Sequence, residues 1–389
     1  MTLRLSCAFV AAIACLSLES RFGAEATTGA PDITEFQIPS RASGAQYITG
    51  ALGRNRPTTG FYFTESQTGK LGFVAANASG GAHIIELTSP TRDSGPFGIA
   101  GGPSAVIWFA EPRAQKIARY DGRRTEEYSV GIAAAFVSAK GYVPPVTSYS
   151  DLRTQEPINP NPNFWFSSAS ARIIGTVSPS GEIQEQVLPT TGCLAALASG
   201  PDGTVWFTER GGPFVGRLTP DGALTEYDIQ SGAVRSIALA LPQPNSRRPK
   251  ACDDVSRWAD KSKLETRPPN TVTVDRLGTA WFTQQWVQSL HGAAIGSITR
   301  GGVIHLYRIP TQDCAPGDVT VDFMRDGVWF TEFKAGKIGW VSEQGAISEI
   351  PLPDRSAGPV GIVYDGQSVW FVEHNANKIG RLFMPRLVF

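Results

Sequence analysis

The stretch GPDGTVWFTERGGPFVGRLTPDGALTEYDI, residues 200–229, holds a Trp-Phe-Thr-Glu tetrad, a short loop, a Val-Gly pair and an acidic segment. The same order returns in DGVWFTEFKAGKIGWVSEQGAISEIPLP (326–353) and in GQSVWFVEHNANKIGRL (366–382). Variants of the tetrad stand at 61–65 (FYFTE), 108–111 (WFAE), 165–168 (WFSS) and 281–284 (WFTQ), which makes seven copies in all. From Trp108 onward the Trp-to-Trp spacings are 57, 41, 75, 48 and 41. The two shortest match a propeller blade of about 40–45 residues, and the longer ones are that length plus insertions.

Each unit reads as four short strands. Apolar residues alternate at period two and Gly/Asp or Pro-Asp-Gly turns punctuate them, as in VGIVY (360–364), the tetrad, KIGRL and ALTEYDI. No helical periodicity of useful length lies between them, so the chain is all-β. A single four-stranded unit cannot bury both faces; seven arranged radially close on themselves, which predicts a seven-bladed β-propeller. ITEFQIPS (33–40) is a fourth-strand sequence without a blade, and the last repeat stops after its third strand. Pairing the two predicts that the N-terminal strand closes the last blade and removes an exposed edge. Insertions fall near 139–162 and 240–268. The second precedes the strand NTVTVD (270–275) and is expected to overhang the face where the tetrad glutamates emerge. A register that takes AVRSIALAL (233–241) as that first strand puts it on the opposite face.

Among 389 residues, 35 Lys and Arg balance 35 Asp and Glu, which argues against a broad electrostatic footprint for nucleic acid. Residues 1–26 read as a secretory signal: a basic Arg4, an apolar run from Leu5 to Leu18 and a small-x-small site at Ala24–Ala26. A lipid-attachment site at Cys15 is the lesser alternative. Residues 27–389 then form one domain, secreted or periplasmic, with no membrane span and a monomeric state expected. Export leaves Cys193, Cys252 and Cys314, of which Cys252 and Cys314 on neighbouring blades are the expected disulfide.

The repeats at 200–229, 329–341 and 370–382 resemble those of the streptogramin B (virginiamycin B) lyase family, and the resemblance runs from about Ile33 to Leu382. It implies a seven-bladed propeller. It also implies magnesium-dependent opening of a cyclic depsipeptide at its ester, by elimination. Such a reaction needs a base near neutral pKa beside a carbonyl, and a cation on hard oxygen ligands for the developing charge. The family pattern has an acid-x-His entering the last blade's first strand and a Glu ending its second, with further aromatic or His residues at that position in neighbouring blades.

This chain departs from the pattern. Glu373 is present, but Val360 stands at the His position and Gly358 at the acid position; one blade earlier the His position is Gly317. His291 and His374, in loops on the candidate face, are the remaining candidates for a base, with Glu373 as their catalytic partner. His83 and His305 fall on outer strands. Five tetrad glutamates (Glu65, Glu111, Glu209, Glu332, Glu373) ring the expected mouth, with Ser168 and Gln284 completing the circle. A magnesium ion is therefore expected on the side of Glu332, Glu373 and Asp318. Tyr47, Phe97 and Asn270 are expected to contact a small-molecule or peptide ligand at the mouth. Two further readings stay open: a non-catalytic propeller that binds a small molecule, glycan or protein, and a calcium-dependent lactonase using Asn270 and Asp318.

Overall fold

The computed structural model describes residues 32–50, 60–76, 81–102, 106–132, 134–139, 164–168, 172–190, 192–210, 212–237, 239 and 269–384. The expected signal, Cys252 and most of both insertions lie outside them. The described chain is built of antiparallel sheets, seven in number, with no α-helix. In chain order blades one to six span 45–88, 99–129, 134–187, 193–237, 269–308 and 316–351. Blade seven takes three strands from 359–383 and its outermost from Asp32–Gln37, which pairs antiparallel with Lys378–Phe383 from Asp32↔Phe383 to Gln37↔Lys378. The first strands contact one another in sequence round the molecule, and that of blade seven returns to that of blade one, so the ring is closed.

The tetrad explains this arrangement residue by residue. Alternation along a strand sends Trp and Thr to one face of the sheet and Phe and Glu to the other. Trp fills the gap between blades: Trp370 lies 4.9 Å from Phe61 of blade one, and Trp108 lies 4.9 Å from Phe164 of blade three. Its indole N–H finds an acceptor in the turn after the first strand, as Trp281, Trp329 and Trp370 donate to Asp275, Asp322 and Asp365 at 2.9–3.0 Å. These recurring Asp turns therefore serve both chain reversal and indole satisfaction.

The Phe ring decides the Ile-Gly pair. Gly72, Gly216, Gly296, Gly339 and Gly380 lie directly opposite tetrad phenylalanines in the third strand, and a Cβ at any of them would meet the ring at 2.1 Å. Glycine is there because the ring occupies the space a side chain would need. Blade two carries Ala118 opposite Phe109, so one methyl is accommodated where the ring is placed differently.

Blade four departs from the expected four strands. Val234–Ile237 pairs with Leu224–Asp228 as a fifth, outermost strand. It is therefore not the first strand of blade five, which is Pro269–Val274. The disulfide expectation is also corrected. Cys314 is a free, buried thiol packed with Ile309 and Val319, whereas Cys193 is disulfide-bonded to a partner outside the described residues. Apolar side chains of blades five and six enclose the Cys314 thiol, so it packs as a small core residue.

Two substitutions test this packing. Gly339→Val should lower unfolding free energy by about 1–3 kcal/mol through overpacking against Phe330, read by chemical denaturation. Gly339→Ala should cost less, as the alanine in blade two implies.

Candidate functional site

Each first strand carries one extra residue opposite the tetrad. Ala45 and Ile48 face Glu65 and Phe63, so Gln46 and Tyr47 together oppose Thr64. The same bulge sets Ala195–Ala196, Asn270–Thr271, Gly317–Asp318 and Val360–Gly361 opposite Thr208, Thr283, Thr331 and Val372. A bulge frees backbone groups from the ladder, and the tetrad hydroxyl collects them. The N–H of the second bulged residue donates to the Thr of its own sheet: Tyr47 to Thr64 at 3.3 Å, Ala196 to Thr208 at 3.1 Å, Asp318 to Thr331 at 2.9 Å. The hydroxyl then donates to the carbonyl of the first bulged residue of the next sheet. Thr208 reaches Asn270 at 3.1 Å, Thr283 reaches Gly317 at 2.9 Å, and Thr331 reaches Val360 at 2.8 Å. Ser167 does the same to Ala195 at 3.0 Å.

This relay turns the second bulged residue toward the axis. Tyr47, Ala196, Thr271 and Asp318 line a partly open cavity of about 110 Å³, with Gly98 in the corresponding place in blade two. Asp318 is the one titratable carboxylate in its wall. Burial pushes its pKa up to about 6, against the opposing effect of N–H donors from Ile362 at 3.1 Å and Val319 at 2.9 Å and of the Thr271 hydroxyl. Tyr47 packs edge-on against Phe97 with ring centroids 5.1 Å apart. Of the expected ligand contacts, Tyr47 thus lines the axial cavity, and Phe97 packs against its ring. The third, Asn270, turns its amide to the Gly317 carbonyl at 3.1 Å and serves to join blades five and six.

The glutamates do not ring an open mouth. Glu65, Glu111, Glu209, Glu332 and Glu373 are all fully buried. Four of them sit in columns with a third-strand Lys and an outer-strand Glu. In each column the Lys ammonium pairs with the outer carboxylate: Lys70 with Glu86 at 2.6 Å, Lys116 with Glu127 at 2.5 Å, Lys337 with Glu349 at 3.0 Å, and Lys378 with Glu35 at 2.5 Å. One cation cannot hold two buried anions, so the tetrad carboxyl gives way. Desolvation raises Glu65 and Glu373 to about 7 and Glu332 to about 8, while Glu86, Glu127 and Glu349 are held below the usual range where Lys and Ser or Thr donors outweigh burial. Glu209 is pushed to about 8 by desolvation and by Glu226.

These placements test the magnesium expectation. Magnesium takes ionised oxygen ligands and keeps several waters. Glu332 and Glu373 are buried, with desolvation disfavouring their ionised forms, and Asp318 faces a separate space at the axis. Among the described residues no group of three or more His, Cys, Asp or Glu is placed to hold a metal ion. The described residues therefore do not fit the cation, and Asn270 and Asp318 do not converge on a calcium site either.

The histidines separate. His291 is exposed at the tip of the blade-five loop, in a left-handed conformation (φ 50°) after the 3-10 turn Gln288–Leu290. His374 is half-buried at the seam of blades seven and one, its Nδ1 2.8 Å from the Ala45 carbonyl and 3.4 Å from the Gln46 amide. Sequence reasoning missed the threonine relay and the lysine columns. The signals were present as the Thr before Glu65, Glu209, Gln284 and Glu332 and the Lys that opens the third strand at 70, 116, 337 and 378.

A closed ring of seven antiparallel sheets round an axial cavity defines a seven-bladed β-propeller. More narrowly, the profile of the Virginiamycin B lyase family matches residues 19–243 and 261–386, and the chain belongs to that family. A virginiamycin B lyase from Nocardia farcinica is 37% identical over 82 residues, 21% of this chain and 26% of that protein, so the match spans about a quarter of that relative's length. The crystal structure of virginiamycin B lyase from Staphylococcus aureus superposes with a TM-score of 0.66 at 24% identity, covering 91% of this chain and 99% of the other. A streptogramin B lyase structure gives 0.64 at 26% identity over 90% and 97%.

The raised glutamates set a pH dependence. A carboxyl whose folded pKa exceeds its unfolded value, about 4.3, stabilises the fold fully below that value; the contribution falls as pH rises and is gone above the folded pKa. Unfolding free energy should therefore decline from about pH 5 to pH 8. Glu332→Gln should flatten that decline, measured by denaturation at each pH.

Proposed function

We propose that the protein is an exported propeller that binds a small cyclic or peptide ligand at its mouth without carrying out the metal-assisted elimination of its family. The observation that carries this reading is the bulge itself. Val360 and Gly317 occupy the backbone positions where the family pattern places histidine, and neither side chain can move a proton. Fully buried Glu332 and Glu373 are engaged in lysine columns within their own blades instead of facing solvent. What remains at the axis is a recognition surface of aromatic, aliphatic and hydroxyl groups around one carboxylate, the usual make-up of a ligand site. The Cys193 disulfide supports the exported setting, since such bonds persist in oxidising compartments.

A second reading rests on His374. With Nδ1–H donating to the Ala45 carbonyl, Nε2 keeps its lone pair and is the one imidazole base held by a backbone contact beside the mouth. Ring opening by that base, assisted by a cation, is the alternative.

One assay separates them. Purified protein is incubated with magnesium and a type B streptogramin, with the products followed by mass spectrometry and binding by calorimetry. Binding with the macrocycle intact is the expected result. Appearance of the linear product, lost in His374→Ala, establishes the second reading and ends the first.

A further inference from the structure

The axial cavity holds a carboxylate whose charge no described side chain cancels. Among the described residues Asp318 makes no ion pair, and the other side chains of the wall carry no charge. Its hydrogen-bond partners are neutral backbone donors, the Val319 N–H on Oδ1 and the Ile362 N–H on Oδ2, while the nearby Thr271 hydroxyl donates to the Gly317 carbonyl. An ionised carboxylate offers about four acceptor positions, so these two orient the group and leave capacity for a further donor. With a pKa of about 6 the group is mostly ionised at neutral pH.

Only blade seven separates Asp318 of blade six from Tyr47 of blade one, and the Tyr47 ring, braced edge-on by Phe97 at 5.1 Å, lines the same cavity. Aromatic faces attract cations through their quadrupole, and the attraction grows where water is excluded. A fixed anion, an aromatic wall and aliphatic side chains from Ile99 and Leu197 complete the enclosure. Its volume of about 110 Å³ has room for a group of a few heavy atoms. A neutral alcohol would satisfy the spare acceptor but leave the charge uncompensated; an anion would be repelled.

We propose that this cavity is a subsite for a protonated amine, the ammonium donating to the Asp318 carboxylate and resting against the Tyr47 ring. The proposal deepens the ligand-binding reading above, on which it rests for the identity of the mouth. It narrows the ligand to one that carries a primary or short alkyl ammonium able to descend along the axis.

The test uses n-propylammonium chloride as probe, with n-propanol as its neutral counterpart and sodium chloride matched for ionic strength. The protein is labelled with ¹³C at aspartate carboxyls, and the Asp318 resonance is assigned by its absence in Asp318→Asn. Propylammonium should saturate a shift of that resonance and lower its titration midpoint by about one unit, a tenfold preference of the ionised form. Propanol should bind at least tenfold more weakly, and Asp318→Asn should lose the preference. Equal shifts from amine and alcohol, or an unmoved Asp318 resonance at saturating amine, would overturn the proposal. Should Asp318→Asn not fold, Asp318→Glu, which also removes the labelled aspartate carboxyl, supplies the assignment, and the comparison of amine with alcohol on the native chain decides. Failure of a streptogramin to bind leaves this result unaffected, so the two readings fail separately.

Discussion

The hydroxyl of the tetrad threonine is the interaction on which the site depends. A strand bulge leaves an N–H and a C=O without ladder partners, and burying them unsatisfied costs about 1–3 kcal/mol each. One Oγ accepts from the bulge of its own sheet and donates to the bulge of the next, as Thr331 does between Asp318 and Val360. Such links join blades three to seven in turn, and Ala110 and Val372, at this place in blades two and seven, carry no hydroxyl to extend them. The link also fixes which residue of each bulge looks inward, and so places Asp318, Tyr47 and Thr271 on one wall.

Much of the fold could be read from the sequence because the repeat is written in residues that packing demands. Trp fills the interblade gap, Gly yields to Phe, and Asp caps the indole, each at a fixed offset within the unit. The fifth strand of blade four was not legible. Val234–Ile237 is short and mostly exposed, so it carries no apolar period to set it apart from the insertion that follows. The free thiol of Cys314 was equally hidden, since cysteine spacing says nothing about which side chain is enclosed.

The site was legible only in part. Tyr47, Phe97 and Asp318 are at the axis because the alignment of first strands sets their register. The glutamates misled for a physical reason: a carboxylate at a strand end reads as a ligand whether it faces solvent or a lysine column. The column becomes visible only when three strands are laid side by side. Lys337 lies directly across from Glu332 and reaches diagonally to Glu349, which sits opposite Gly339. Departure from the family at Val360 and Gly317 was plain from the residues alone, and the structure adds that the surrounding carboxyls serve the walls.

Blade four shows what such a column requires when its lysine is gone. Phe214 occupies the lysine position, yet the outer Glu226 is kept and buried. Its charge is met by Arg235, which arrives on the additional strand. Blade five resolves the same vacancy by discarding the column, with Gln284, Ala294 and Leu306 at the three places. A lysine at 214 and an arginine at 235 are thus alternative answers to one electrostatic question. A relative bearing the first would be free to lose the extra strand, whereas this chain is bound to keep it.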